Sequence, residues 1–469
     1  MIADLKPYPE CRPAEGGWLG EVPSHWKIRR MKYVVRETDS RSTSGKEQLL
    51  RVSQYTGVTQ RQREDGLDEP DTRAESLIHY KRVEPNDLVI NIMLAWNGSM
   101  GVSRFSGIAS PAYCVYRFGS EFSPWYFHHL LRSPAYKSRI KALSRGVVES
   151  RLRLYSDDLY RIEVMVPLLE EQAAIVRFLD WANGRLERAI RAKRTVIAVL
   201  NEQKQAIIHR AVTRGLDLSV PLRPSGIRWL GDIPKHWETR AFVRCCMERA
   251  DYRGKTPHKV ESGVFLVTAK NIRTGWIDYD SSKEFVKASE YLTIMRRGLP
   301  RKGDVLLTTE APLGHVALVD REDVALAQRI IRFRLHPDRF LSRFALFCLN
   351  SPYFQNQLNE RATGSTAQGI KASKLPQLLV ALPPIVEQRS IAARIDDDCA
   401  PINSAISRLE REILLLREYR TRLVADVVTG KLDVRAAAAR LPEGVTDDIV
   451  QDVADLSVDL DVADVQTVE

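Results

Sequence analysis

The side chains able to read or grip a polyanion fall into short groups along this sequence. Arg51, Gln54, Tyr55, Arg61 and Arg63 make one group, Trp96, Asn97 and Ser99 a second, and Arg145, Arg151 and Arg153 a third. The second half offers Arg253, Lys255, Lys270, Asn271 and Arg273, then Thr308, Thr309, Gln328 and Arg329, then Ser365, Thr366, Gln368 and Lys371. At base edges in a major groove, Arg pairs with guanine and Asn or Gln with adenine. Basic and hydroxyl side chains elsewhere hold phosphates. Taken singly, each residue is an ordinary solvated side chain; only the grouping points to nucleic acid.

Motifs for other chemistry are incomplete. Gly45-Lys46-Glu47 and Gly254-Lys255-Thr256 resemble the end of a phosphate-binding loop, but Ser40 and Arg249 stand where the leading glycine is needed. Leu382-Pro383-Pro384-Ile385 has neither the preceding Asn nor the following aromatic of the amino-methyltransferase motif. No GxGxxG, HExxH or Gly-x-Ser-x-Gly occurs. His25 and His236 recur beside tryptophans without an obvious paired acid, and are expected to lock a packed corner rather than to catalyse. The chain carries no recognisable catalytic constellation and no metal site.

Charge fits a nucleic-acid partner. The formal net charge is +10, yet from Leu441 to Glu469 there are nine acids and no Lys or Arg, so the rest of the chain carries +19. A body that basic attracts a polyanion. The 469 residues suggest about three units, and 44% hydrophobic residues are ample for buried cores. The six cysteines are scattered without a CxxC pair, which excludes a zinc ribbon or disulfide scaffold and suits a reducing compartment. With no apolar run long enough for a signal peptide or membrane span, the expected location is the cytoplasm.

The elements that must position these groups come in duplicate. Trp18-Leu19-Gly20-Glu21-Val22-Pro23-Ser24-His25-Trp26 returns 211 positions later as Trp229-Leu230-Gly231-Asp232-Ile233-Pro234-Lys235-His236-Trp237. At a spacing of 216, Glu171-Gln172 answers to Glu387-Gln388 and Val212-Thr213 to Val428-Thr429. Asp87 answers to Asp304, and Ser133-Pro134 to Ser351-Pro352, but most of residues 33–165 and 244–381 do not align convincingly.

Two of the repeated segments read as long helices. In residues 386–429 the periodic positions are Ile391, Ile395, Cys399, Ile402, Ile406, Leu409, Ile413, Leu416, Leu423 and Val427, the alternation of a coiled-coil seam. Residues 170–213 carry Ile175, Leu179, Ala182, Leu186, Ile190, Ile197, Leu200, Ile207 and Ala211, interrupted by Lys193 and Lys204. Pro401 should mark a kink or restart. A helix of about 40 residues extends roughly 60 Å and cannot bury its stripe alone. The expected solution is an antiparallel pair; the alternative is that each helix packs on its own globular unit. The enclosed segments read as mixed α/β, each with one amphipathic helix, near Pro124–Leu143 and Leu341–Leu358.

These motifs together resemble the specificity subunit of type I restriction-modification systems. The resemblance rests on the WLG-x-[IV]-P-x-HW phrase, the Lys302-Gly303-Asp304 strand start, the Thr363-Gly364-Ser365-Thr366 passage to Leu375, and Leu382-Pro383-Pro384-Ile385-Val386-Glu387-Gln388. The first copy departs from it, with one proline in Val166-Pro167-Leu168-Leu169 and Ser144-Arg145-Gly146 in place of the Thr-Gly-Ser turn. The resemblance implies an α+β chain with two α/β target-recognition domains in a pseudo-twofold arrangement and two long helices forming an antiparallel coiled coil. It divides the chain into a first recognition domain (1–165), a central spacer helix (166–217), a second recognition domain (218–381), a C-terminal spacer helix (382–434) and an acidic tail (435–469). It also implies a non-catalytic partner of double-stranded DNA, of two modification (methyltransferase) subunits and of restriction subunits. S-adenosylmethionine would then belong to the modification subunits, and ATP with Mg2+ to the restriction subunits. The nearest alternatives are the recognition subunit of a type IIB-like enzyme and a non-enzymatic helical scaffold.

Overall fold

A computed structural model describes residues 5–14, 17–61, 76–148, 151–252, 256–364 and 368–442. The chain divides into two compact units, one made of Met1–Lys193 with Arg411–Glu469 and the other of Arg194–Glu410. Both divisions fall inside long helices, Leu169–Arg214 and Ile385–Val428.

The two enclosed segments share a framework that their sequences conceal. In the first unit a four-stranded antiparallel sheet runs in the order Val35–Thr38, Tyr113–Phe118, Leu88–Asn91, Met100–Val102. In the second the order is Cys246–Asp251, Ile330–Leu335, Val305–Thr309, Leu313–Leu318. The two central runs, LVIN and VLLTT, are buried at every position, so alternation is lost and only β-propensity marks them. Each strand starts at the repeated aspartate. Asp87 accepts the backbone N–H of Glu84 at 3.0 Å and a two-pronged contact from Arg117 on the neighbouring strand, at 2.9 and 3.0 Å. Asp304 accepts the N–H of Arg301 at 2.9 Å and the guanidinium groups of Arg332 and Arg334. A buried carboxylate needs such partners, and the neighbouring strand supplies them.

Where one amphipathic helix is expected in each segment, there are two. Pro124–Leu131 is followed by Pro134–Leu143, and Ser342–Leu349 by Pro352–Arg361. The break falls at the repeated Ser-Pro, because proline disfavours helical geometry in the residue before it and suits the first turn of a new helix.

Both long helices are continuous, and the second runs through Pro401 without a restart. Their stripes are used in two ways. Ile175, Leu179 and Ala182 are buried in the core of the first unit, and Ile391, Ile395 and Cys399 in that of the second. These ends follow the packing given above as the alternative. Further along, the helices meet each other. Within the first unit Glu187 takes Arg420 at 2.8 Å and Lys193 reaches Glu412 at 2.6 Å, so one helix descends as the other rises. Within the second, Lys204 donates to Asn403 at 2.9 Å. The two lysines that interrupt the apolar stripe thus each reach a polar group on the opposite helix. Leu186, Ile190, Ile402 and Ile413 are buried, while Ile197, Leu200, Ile406, Leu409 and Leu416 are half-buried.

Residues 435–442, assigned to the tail on sequence, are packed on the first unit. Arg435–Ala439 is a short helix with Ala438 buried, Leu441 is buried, and Arg177 donates to the Leu441 carbonyl at 2.6 Å. Among the described residues no helix is long and apolar enough to cross a membrane.

Candidate nucleic-acid interface

The repeated phrases build a scaffold for the candidate surfaces. Glu171 accepts the Tyr8 hydroxyl at 2.7 Å and the Trp26 indole N–H at 3.1 Å, and its other oxygen meets His25 Nε2 at 2.9 Å. Glu387 does the same for Trp237 at 3.0 Å and His236 at 2.8 Å. Each histidine therefore has a paired acid after all, supplied by a helix far away in sequence, and the pair forms a packed corner. The next residue in each repeat is a fully buried glutamine. Gln172 accepts the N–H of Ser123 and donates to Pro167 O, while Gln388 accepts the N–H of Leu341 and donates to Arg339 O and Pro383 O. The Pro-Pro of the methyltransferase-like decoy is thus a helix entry.

Loops on this scaffold gather the expected contact residues into equivalent places. In the first unit an isolated bridge joins Arg145 to Arg153 and closes one loop; in the second a bridge joins Thr363 to Gly369 and closes its counterpart. Both loops lean on the central hairpin of their sheet, through Leu154 N–H to Ile92 O at 2.9 Å and Ile370 N–H to Thr309 O at 3.0 Å. The first loop exposes Arg145, Arg151 and Arg153. Arg145 bonds the buried carboxylate of Asp158 at 2.7 Å, and this hydrogen bond raises the guanidinium pKa. Arg151 and Arg153 make no ion pair among the described residues. The second loop exposes Gln368 and Lys371, beside the ion pair of Arg329 with Glu310 at 2.9 Å.

A second cluster flanks the first-unit hairpin Leu50–Ser53 and Gly57–Gln60. Tyr55 at its turn is exposed, and Arg51, Gln54 and Arg61 are half-buried. In the second unit Lys270 and Arg273 are exposed on the loop after Val264–Val267, with Arg273 facing Asp278 at 3.4 Å. His315 holds this loop to the sheet through Ile272 O at 2.8 Å.

Five expected contact residues belong to the framework instead. Asn271 is fully buried: its carbonyl takes the Thr268 N–H and hydroxyl, and its amide donates to Asp278 O and Ser282 O. Thr308 is fully buried and accepts the His315 N–H; Thr309 is buried and donates to Arg329 O. Ser99 is buried and donates to Asn97 Oδ1, so that Asn97 is spent closing its own turn. Burial takes Asn271, Thr308, Thr309 and Ser99 off any surface a duplex could reach, while the half-buried Asn97 has its side-chain oxygen committed to Ser99. Arg63, Arg253, Lys255, Ser365 and Thr366 lie outside the described residues.

Composition gave no sign of Arg132. It donates to five backbone carbonyls on two different segments, and burial lowers its pKa to about 10. Among the described residues no group of three His, Cys, Asp or Glu could hold a metal ion.

Residues 272–412 match the family described as the type I restriction modification DNA specificity domain. The resemblance seen in the sequence is borne out by relatives that align with about three quarters of the chain. The type I restriction enzyme MjaVIII specificity subunit of Methanocaldococcus jannaschii is 21% identical over 372 residues, covering 76% of this chain and 83% of its own length. The EcoKI specificity subunit of Escherichia coli is 23% identical over 392 residues, covering 77% and 81%. A solved chain from a study of complex assembly and conformational transition in the type I R-M system aligns with 88% of this chain and 99% of its own, at a TM-score of 0.56 and 17% identity. That likeness shows a shared α+β fold.

Proposed function

We propose that this chain reads a bipartite, asymmetric DNA sequence for a type I restriction-modification complex and performs no chemistry itself. The observation that carries the reading is the pairing of equal frames with unequal loops. The same strand order and bridge-closed loop recur in both units, yet one loop presents Arg145, Arg151 and Arg153 and the other Gln368 and Lys371. Surfaces with such different side chains grip phosphates and read base edges differently, so the two half-sites differ. The long helices set the number of unread bases between half-sites and dock two modification subunits. Methyl transfer, with S-adenosylmethionine, belongs to those subunits; ATP- and Mg2+-dependent cleavage belongs to restriction subunits.

Methylome sequencing of the host tests the reading, with a strain lacking this chain as control. One interrupted motif with dissimilar halves should vanish in the control. A chain that methylates or cuts DNA when purified alone would refute it. The spacer role is tested by inserting four residues after Leu200 and after Leu416, which adds about 6 Å to each helix. The interval in the methylated motif should change, and an unchanged interval removes that role.

A further inference from the structure

We infer that Arg132 is a positioning residue that fixes two loops of the first unit as one base-reading surface. The inference rests on the DNA-reading function proposed above. Arg132 caps the end of helix Pro124–Leu131. One guanidinium nitrogen donates to Ser53 O at 3.3 Å, Gly98 O at 3.1 Å and Met100 O at 2.5 Å. The other donates to Gln54 O at 3.0 Å and Tyr55 O at 2.8 Å. The first turn belongs to the hairpin Leu50–Ser53 and Gly57–Gln60, the second to the hairpin Leu88–Asn91 and Met100–Val102.

The rigid fork of an arginine suits this task, because its donors point in fixed directions within one plane. Five backbone carbonyl dipoles, rather than a carboxylate, receive this guanidinium. Glycines let the two segments close on one another: a Cβ on Gly101 would lie 3.1 Å from Gly57 Cα, and one on Gly57 would lie 3.1 Å from the His128 ring. Both segments present side chains suited to bases. Tyr55 is exposed at the first turn, and Met93, Leu94 and a half-exposed Trp96 lie on the second. With its terminal nitrogens turned to carbonyls, Arg132 acts through these neighbours. Base reading depends on donors and rings placed to within a fraction of an ångström, so loosening the two loops relative to each other blurs recognition.

The test selects duplexes from a randomised pool with the full chain in its native complex, comparing the unchanged chain with Arg132→Met and Arg132→Lys. Arg132→Met should lower discrimination about tenfold at positions of one half-site only. The other half-site and the salt slope of binding should stay as they were, because no phosphate contact is removed. Lysine, with fewer and less rigidly placed donors, should give an intermediate loss at the same half-site. An unchanged motif, an equal loss in both half-sites, or a salt slope lower by about one overturns the inference. If the methionine variant does not fold, the lysine variant decides alone, and a native motif from it has the same consequence. An unchanged chain that enriches no two-part motif sinks the proposed function and this inference with it.

Discussion

The carboxylate of Glu171 accepts the indole N–H of Trp26 at 3.1 Å across 145 residues of chain, and Glu387 repeats the bond to Trp237 at 3.0 Å across 150. This one relationship explains why the Trp-rich phrase and the Glu-Gln dipeptide recur together. Each is half of a joint between the start of a long helix and the entry to a globular unit. The helix N-terminus also favours a carboxylate in its first turn.

The two joints differ in burial. The Glu171 side chain is 5% exposed and serves three donors, whereas that of Glu387 is 27% exposed and serves two. Glu171→Ala should cost about 3 kcal/mol, because it strands the buried Tyr8 hydroxyl and Trp26 N–H. Glu387→Ala should cost about 1–2 kcal/mol, since water can replace part of the carboxylate. Urea unfolding of both variants checks the order, and equal losses would show that the burial difference has no energetic weight.

Asn271→Ala should destabilise the second unit by about 2 kcal/mol, as five hydrogen bonds made in a fully buried site are broken or left unpaired. At temperatures where the variant stays folded, its DNA motif should equal that of the unchanged chain. A variant of native stability with one relaxed base position would return Asn271 to the reading surface.

Burial pushes the Asp180 carboxyl up to about 6, against a smaller opposing pull from Arg104. Between the unfolded carboxylate pKa near 4 and that value, the folded chain holds more protons than the unfolded one. Stability from this group is therefore lost as pH rises through the window, and the loss is complete above it. Asp180→Asn should match the unchanged chain near pH 4 and exceed it at pH 7.5 by up to about 3 kcal/mol. Denaturation midpoints along that range measure the difference, and a pH-independent gap would mean that Asp180 does not titrate in this way.

Arg151→Ala and Arg153→Ala should each weaken binding to all duplexes alike and lower the slope of log affinity against log salt by about one, as expected of phosphate contacts. Titrations on cognate and unrelated DNA at several salt concentrations supply the slopes. A loss confined to cognate DNA would make the residue a base reader.

Much of the architecture could be read from the chain itself. Closely similar phrases at spacings of 211 and 216 exposed the duplication, and heptad spacing exposed the long helices. Both signals are periodic and local, and they survive without any knowledge of what lies across the fold. The shared strand order was hidden because a buried sheet constrains only apolar character and the anchored Asp87 and Asp304, leaving most identities free to drift.

The contact surface was legible only as a composition. Asn271 and Gln368 are equally polar in sequence, yet one is sealed inside a buried hydrogen-bond network and the other stands exposed. Arg132 carried no signal, since its carbonyl acceptors lie 32 to 79 residues away. Residue type fixes what a side chain is able to bond. Only the closing of distant segments decides whether those bonds are spent on the protein's own backbone or left for a partner.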